Sequence, residues 1–188
     1  GRYRNDIQTE YLKEYAGLPM GGYKYRMHQL SAAVGRTQLR NYDDRMREID
    51  DAMNYFWDCL EDVPGVRPHR PKKGEGSTMA GWYAARGKYV PEELEGLSLT
   101  RFCEAVKAEG CHVSPGANKP LHLHPLLNTC DVYGHGKPTR IANSKRDVRQ
   151  PAGSLPATER LVKRVYSIPW FKKFRAEDIK PYADAVKK

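Results

Sequence analysis

The sequence predicts an α+β fold, and two observations support this prediction. Apolar residues recur at three- and four-residue steps between Met27 and Leu60, the spacing that places side chains on one face of a helix. Residues 82–113 then contain a tyrosine-rich run, a short helical pattern and a second apolar run, which indicate a strand, a helix and a strand. This alternation after a long helical segment is typical of a small α+β domain.

The helical segment, residues 27–62, is predicted to bury one face and to expose the other. Asp43, Arg47 and Asp51 are spaced four residues apart on the exposed side, where pairs of opposite charge stabilise a helix. Gly35 either bends the segment or divides it into a pair of helices. The apolar stripe is predicted to be core rather than a cofactor pocket, and it consists of Tyr42, Met46, Ile49, Met53, Phe56, Trp57 and Leu60.

Caps and breakers mark the elements that follow. Residues 82–90 are predicted to form a strand that Pro91 closes. Ser98 is an expected N-cap, and Gly110 is placed to end the helix that Ser98 begins. The predicted buried stripe of this helix is Leu99, Phe102, Cys103 and Val106.

Three further segments complete the predicted fold. Residues 111–113 are expected to form a strand, and residues 155–162 a helix with Pro156 in its first turn. Residues 176–186 are expected to form the last helix, in which Pro181 must fall in the first turn or bend the helix.

The composition of the 188 residues indicates a soluble chain with a core of its own. No apolar run approaches the roughly 20 residues that a bilayer-spanning helix needs, and no signal peptide opens the sequence. Four cysteines lie without C-x-x-C spacing, which favours reduced thiols over a disulfide framework or a zinc ribbon. We therefore expect a cytoplasmic protein.

The net charge of +9 leaves two classes of partner open. The basic residues are concentrated in 67–73, 137–149 and 163–175, with acidic residues between these stretches. No helix-turn-helix, RNA-binding or zinc-finger motif accompanies them. Since a positive surface also attracts small anionic substrates, a nucleic-acid or protein-binding module is the less favoured alternative.

A glycine pair and a basic, aromatic corner immediately precede the helical segment. Glycine allows the backbone to approach a bound group closely, and the first N–H groups of a helix form an anion site. Lys24, Tyr25 and Arg26 would add two charges and a hydroxyl at that helix end. The residues alone leave two interpretations open, a phosphate or carboxylate site and a solvated basic turn, and they favour the turn.

Residues 118–141 are rich in proline, glycine and asparagine, which predicts a long loop of functional importance. The loop carries His122, His124 and His135 near Cys130 and Asp131, but their spacing matches no known zinc pattern. We favour pocket histidines over a metal site, with exposed loop histidines as the remaining alternative.

The sequence contains no motif that assigns a catalytic residue. G-x-S-x-G, the P-loop and G-x-G-x-x-G are all absent. Adjacent acidic pairs occur at 43–44, 50–51 and 92–93, but neighbouring residues on a helix do not face each other. We predict that these carboxylates are solvated, and that the chain has neither a catalytic residue nor a metal site of its own.

Three blocks of the sequence, in this order, resemble the DegT/DnrJ/EryC1/StrS sugar aminotransferases. Residues 22–39, GYKYRMHQLSAAVGRTQL, are similar to the family pattern G-x-N-x-R-M-x-x-L-x-A-A-x-G-x-x-Q-L. Residues 120–125 resemble its P-L-H-x-x-P segment. Residues 155–161 and 167–169 resemble its closing lP-x-[AT]-E-x-L and slP segments.

The resemblance implies one part of a fold type I enzyme that depends on pyridoxal 5'-phosphate (PLP). That part consists of a lead-in and phosphate-side loop (1–26), a long interdomain helix or helix pair (27–62) and a small C-terminal domain (63–188). In the small domain an antiparallel sheet carries helices on one face. The large N-terminal domain, which holds the Schiff-base lysine, has no counterpart in the chain, so the chain alone is expected to be inactive.

The resemblance also implies site residues and partners. In the family, the loop before the helix reaches the cofactor phosphate of the other subunit of a homodimer, which assigns cofactor binding to Lys24, Tyr25 and Arg26. Lys24 stands where the family has asparagine. His122 and His124 are expected on the substrate side. The implied substrate is a nucleotide-linked keto-sugar, the amino donor is glutamate or glutamine, and a PLP-dependent sugar dehydratase is the alternative reaction.

Overall fold

The structure, a computed structural model, describes residues 27–188. Lys24, Tyr25 and Arg26, together with the predicted lead-in of residues 1–26, lie outside the described residues. The chain comprises two compact units, Gly1–Asp43 and Asp44–Lys188. No helix within residues 27–188 is both long and apolar enough to cross a membrane.

The first unit contains helix α1, Gln29–Arg40. The Nδ1 atom of His28 caps this helix by accepting a hydrogen bond from the Leu30 N–H at 3.3 Å. The helix ends at Asn41, whose side-chain amide donates to the Thr37 carbonyl at 3.0 Å. Gly35 lies inside α1 and does not divide the segment; the division into two helices falls at Asn41.

Helix α2, Tyr42–Asp58, supplies one wall of the core. The predicted stripe is confirmed over most of its length, while Met46 is partly buried and Tyr42 is half-exposed. Its fully enclosed members are Ile49, Met53, Phe56 and Trp57, followed by Leu60 after the helix. Arg70 holds the C-terminal end of α2 by donating to Asn54 Oδ1 at 2.9 Å and to Asp58 Oδ1 at 2.7 Å.

Four short antiparallel strands form one sheet in the order β1-β2-β4-β3. Their bounds are Val66–Pro68 (β1), Arg86–Tyr89 (β2), Ser114–Pro115 (β3) and Val165–Ser167 (β4). The central pairing aligns Gly87 with Tyr166 and Lys88 with Val165. Because side chains alternate along a strand, this register places Gly87, Tyr89 and Tyr166 on one face and Arg86 and Lys88 on the other.

The core lies on the Tyr89 face of the sheet, which the three longer helices of this unit cover. Helices α2, α3 (Leu99–Ala108) and α6 (Ala176–Lys187) all contribute residues to one hydrophobic cluster with the strands. Phe102 of α3 stacks on Tyr89 with ring centroids 4.8 Å apart. The fold is therefore the predicted α+β arrangement, a small antiparallel sheet with its major helices on one face.

Shorter helical pieces connect these elements. Two α-helices are α4 (Pro125–Asn128) and α5 (Pro156–Val162), and α5 begins with the predicted proline. Three 3₁₀ turns span Pro91–Glu93, Leu121–Leu123 and Thr139–Ile141. The predicted cap of α3 is confirmed, since Ser98 Oγ accepts from the Arg101 N–H at 3.3 Å.

The predicted strand from Trp82 is wrong in its first half. Trp82 has a φ of +51° and Ala80 a φ of +45°, which no strand accommodates, so pairing begins only at Arg86. The Trp82 ring instead turns into the core, where its Nε1–H donates to Asp50 Oδ1 at 2.7 Å. A buried tryptophan with a satisfied N–H thus replaces regular strand pairing here.

One further prediction needs correction. The strand expected at residues 111–113 pairs slightly later, at Ser114–Pro115, although Cys111 and Val113 are buried as expected. Of the two alternatives given for Pro181, the structure excludes the first turn, since Pro181 lies inside α6. Because proline has no N–H, α6 lacks one internal hydrogen bond at this position.

Candidate functional site

The candidate site is built around the loop of residues 120–128, which begins at Pro120 and ends with helix α4. His124 is the N-cap of α4, because its Nδ1 accepts from the Leu126 N–H at 3.2 Å. Pro125 follows at the first helical position, where its fixed φ favours the turn and no N–H is needed. His124 is half-buried, and its cap contact fixes the orientation of its ring.

His122 is the buried polar residue at the centre of this loop, with 5% of its surface exposed. Its Nε2 lies 2.9 Å from Glu159 Oε1 on helix α5. Since an ionised carboxylate can only accept, Nε2 carries the proton and donates. The Asn128 side-chain amide donates to the His122 carbonyl, so both the ring and the backbone of His122 are held.

Glu159 gathers three hydrogen-bond donors from two segments. Besides His122, it accepts from the Gly153 N–H at 2.9 and 3.0 Å and from the Leu155 N–H at 3.5 Å. The hydrogen bond from His122 lowers the pKa of the Glu159 carboxyl most, and the two backbone N–H groups lower it further, against the opposing effect of burial. Glu159 therefore ties the 120–128 loop to the segment before α5 as an ionised acceptor.

An ionic contact holds the other end of the loop. Arg149 donates through Nη1 to the Asn128 carbonyl at 2.9 Å and pairs with both carboxylate oxygens of Asp147. The same guanidinium lowers the pKa of Asp147 to about 2. The C-terminal carbonyls of a helix attract cations, so Arg149 also favours the end of α4 electrostatically.

Two concave surfaces lie beside the 120–128 loop, one next to Glu159 and one next to Asn128. One, of about 420 Å³, is lined by Pro120, Leu123 and Glu159 among others. The other, of about 570 Å³, lies beside Asn128 and Arg149. The Asn128 Oδ1 atom is buried and has no hydrogen-bond partner among residues 27–188. The loop therefore presents a fixed polar wall between two spaces large enough for small-molecule groups.

The remaining histidine of the loop does not join this pair. Asp131 accepts from the backbone N–H groups of His135 and Gly136 at 2.9 and 2.7 Å, which closes a local turn. Within residues 27–188, no group of three or more His, Cys, Asp or Glu side chains is arranged to hold a metal ion. All four cysteines are free thiols, and burial raises the pKa of Cys103 and Cys111 to about 11.

Of the predicted site residues, His122 and His124 lie two positions apart on one loop, whereas Lys24, Tyr25 and Arg26 lie outside the described residues. Glu159 and Asn128 were not predicted as part of the site. Glu159 belongs to the P-x-[AT]-E-x-L block, and that motif was the only sequence signal for it. Its contact with His122 spans 37 positions, which no local pattern reveals.

Replacing Glu159 with glutamine is expected to weaken the acid dependence of stability. Because the folded pKa of Glu159 lies below its ordinary value of 4.5, its ionised form contributes stability above that value. This stability is lost as the pH falls through the folded pKa. Thermal unfolding between neutral and acidic pH should therefore show a lower melting temperature at neutral pH for Glu159→Gln and a shallower acid decline.

The matched control for this experiment is Glu104→Gln. Glu104 forms an exposed ion pair with Arg101 at 3.0 Å, and pairs of this kind add little to stability. Glu104→Gln should keep the parent profile. Indistinguishable profiles for the two variants would contradict the role given to Glu159.

Comparison with known proteins places these features in a family. The DegT/DnrJ/EryC1/StrS aminotransferase family matches the chain over residues 2–187. The uncharacterised protein MJ1066 of Methanocaldococcus jannaschii is 24% identical over 167 residues, which are 89% of this chain and 38% of that protein. The chain thus spans well under half the length of this relative.

Solved structures share the fold. An aminotransferase from Psychrobacter cryohalolentis aligns with a TM-score of 0.62 at 16% identity, over 94% of this chain and 44% of that one. DesI, determined in the presence of its TDP-sugar product, aligns with a TM-score of 0.60 at 24% identity, over 91% of this chain and 38% of DesI. TlmJ, an aminotransferase from Streptoalloteichus hindustanus, aligns with a TM-score of 0.56 at 16% identity, over 84% and 35% of the two chains. With the family matching nearly every residue, this chain belongs to the DegT/DnrJ/EryC1/StrS aminotransferase family.

Proposed function

We propose that these 188 residues are the C-terminal part of a PLP-dependent aminotransferase that acts on a nucleotide-linked keto-sugar. The family match over residues 2–187 is the observation that carries this proposal. The presence of a TDP-sugar product with DesI supports the substrate class. Glutamate or glutamine is the proposed amino donor.

We further propose that residues outside these 188 supply the large domain, and that two copies of the complete protein form a homodimer. The chain spans 35–44% of the aminotransferases to which its fold was compared, which leaves room for such a domain. In this arrangement the chain contributes contacts, and the lysine that carries the cofactor belongs to the large domain.

The residues proposed for the cofactor phosphate are Lys24, Tyr25 and Arg26. Two cations and a phenol hydroxyl fit a phosphate dianion, and they lie directly before the N-terminal end of α1. When bound, PLP serves as the electron sink that makes amino transfer possible. Arg26 is suited to a bidentate contact with phosphate oxygens, while Lys24 acts as a point charge in place of the family asparagine.

The 120–128 loop is proposed to face the sugar. His122 and His124 have different parts in this proposal because their surroundings differ. The ring of His122 is enclosed and paired with Glu159, so it holds the loop in position. His124 is half-buried with its Nδ1 engaged as a cap, and its Nε2 is the atom proposed to meet a substrate oxygen.

Two alternatives are distinguished by simple observations. A family dehydratase would carry histidine in place of the cofactor lysine in the large domain. The alternative of a nucleic-acid or protein-binding module is supported only by the net charge of +9. A nucleic-acid-binding module would retain duplex DNA at physiological salt, whereas the C-terminal part of an aminotransferase would release the DNA.

Substitution of Arg26 tests the phosphate assignment in the complete, dimeric enzyme. Arg26→Ala should raise the dissociation constant of PLP about tenfold or more, because one lost charge-assisted contact is worth at least about 1.4 kcal/mol. Lys24→Asn restores the family residue and should change the constant by less than about threefold. The measurement is cofactor release, followed by absorbance after dilution.

The control is Lys107→Gln, an exposed lysine on α3 whose removal alters the net charge by the same amount. It should leave PLP affinity unchanged. If Arg26→Ala also leaves it unchanged, Arg26 does not bind the cofactor phosphate.

A further inference from the structure

A cleft of about 440 Å³ lies on the face of the sheet opposite the core. We call it the sheet cleft. Its walls are formed by Arg86, Lys88 and Val165 from the central strands, by Leu161 and Val162 from α5, and by Pro120. The volume falls in the range of about 300–1,000 Å³ that is usual for small-molecule sites. The α5 helix therefore partly covers this face of the sheet and leaves a cleft that is open to solvent on one side.

The sheet cleft has a positive wall without a carboxylate. Arg86 and Lys88 lie on the same face of β2, and no residue that lines the cleft is acidic. Among the described residues, no carboxylate lies within 4.0 Å of the charged group of either cation, as every ion pair found involves other residues. The Arg86 guanidinium donates to Ser167 Oγ, which fixes its position and leaves its other donors available.

The carboxylate that interacts with Lys88, that of Glu92, is already paired with Arg164. Glu92 pairs with Arg164, which lowers the pKa of Glu92 most, and Lys88 adds only a smaller effect. His69 also lines the cleft and adds a third nitrogen-bearing group at its rim. The wall therefore keeps a net positive charge that favours an anion.

The spacing of the two cations favours a phosphate over a carboxylate. Residues two apart on a strand are about 6.5–7 Å apart along it, so long Arg and Lys side chains can converge on one multivalent group between them. A phosphate dianion can accept hydrogen bonds from both cations and balance both charges, whereas a carboxylate balances only one positive charge.

The rest of the cleft is apolar. Val165 and the Gly87 backbone give a flat floor, since β2 and β4 are paired there. Leu161, Val162 and Pro120 cover the opposite side with aliphatic groups and a proline ring. Burial of a planar apolar ring between these surfaces favours binding by about 25 cal/mol per Å² of apolar area removed from water.

We propose that the sheet cleft binds an aromatic phosphate, that is, a planar ring that carries a phosphate group. The ring lies against Val165 and Leu161, and the phosphate accepts hydrogen bonds from Arg86 and Lys88. This site is independent of the proposed enzyme function, because it depends only on the charge and shape of the cleft.

Titration of the complete ¹⁵N-labelled protein tests the proposal. Phenyl phosphate and uridine 5'-monophosphate should each bind saturably and shift the amide signals of Lys88, Leu161 and Val165. Uridine and inorganic phosphate should bind at least about tenfold more weakly, because uridine lacks the phosphate group and inorganic phosphate lacks the ring.

Three variants sharpen the result. Arg86→Gln and Lys88→Gln should each weaken phenyl phosphate binding about fivefold or more, and Leu161→Asp should abolish it by placing a carboxylate at the cleft. Lys107→Gln, with the same loss of charge elsewhere, should bind like the parent. Dispersed amide spectra establish that each variant is folded.

Three outcomes would overturn the proposal. They are equal affinity for inorganic and phenyl phosphate, shifts that do not saturate, and unchanged binding in Arg86→Gln and Lys88→Gln.

Discussion

Replacing Gly87 with valine should lower the free energy of unfolding by about 3 kcal/mol, the upper end of the cost of overpacking a core. A Cβ at this position would lie 2.5 Å from Tyr166 Cζ and 2.7 Å from Trp57 Cη2. Both rings are fully buried and packed on all sides, so neither can move without disturbing the sheet or α2. Urea unfolding followed by tryptophan fluorescence measures the loss.

Gly35→Ala is the matched control. Gly35 lies within α1, and apart from the helix's own backbone no atom of residues 27–188 comes within 4 Å of the position that its Cβ would occupy. Alanine in a helix is favoured over glycine by about 0.5–1 kcal/mol, so this variant should lose nothing and gain helicity. A Gly87→Val protein with the parent midpoint would show that the rings do not meet at the sheet as described.

The isolated 188-residue chain should not form a lysine-bound complex with PLP. In the proposed enzyme the cofactor lysine lies in the large domain, so no lysine of this chain is assigned to the Schiff base. Titration with PLP should give no saturable visible band beyond that of the free cofactor. We expect no lysine-bound complex at all, rather than one of reduced affinity.

Reduction with borohydride and peptide mass spectrometry make this prediction quantitative. Adducts should be scattered over several lysines at low occupancy. Lys24→Asn serves as the control, because loss of a phosphate-side cation should leave the scattered pattern unchanged. A stoichiometric adduct at one lysine of the chain would contradict the assignment of the cofactor lysine to another domain.

Helices were predictable from the sequence because their signals are local. The stripe of α2 follows the helical period, and Ser98 and Gly110 mark the ends of α3 by capping chemistry. Gly35 was predicted either to bend or to divide the helical segment, and the structure divides it at Asn41 instead. An exposed helix tolerates a glycine, and the actual end at Asn41 depends on a side-chain contact with the Thr37 carbonyl.

Strands were less predictable because two to four residues carry little periodicity. Trp82 matched a strand by composition, yet its side chain is drawn into the core toward Asp50, 32 positions away. Acidic pairs that were predicted to be solvated also have partners that only tertiary structure supplies. Glu93, for example, accepts from the Gly65 N–H at 2.7 Å and pairs with Arg67.

In the candidate site, too, local motifs were predictable from the sequence and tertiary contacts were not. Motif order identified the 120–128 loop and the α5 block separately, but not that His122 and Glu159 meet. That contact arises because α5 folds back onto the loop, and it makes His122 a buried side chain that is hydrogen-bonded to Glu159, while its substrate role stays a prediction. A sequence pattern gives residue types, whereas burial decides which of them remain accessible.

The most direct test of the central claim is an amino-transfer assay of the polypeptide encoded when the reading frame is followed upstream of Gly1. The protein should bind PLP through a lysine outside these 188 residues and transfer an amino group from glutamate or glutamine to a nucleotide-linked keto-sugar. A complete protein that has histidine in place of that lysine and releases water from the sugar instead would contradict the account, as would one without a PLP domain.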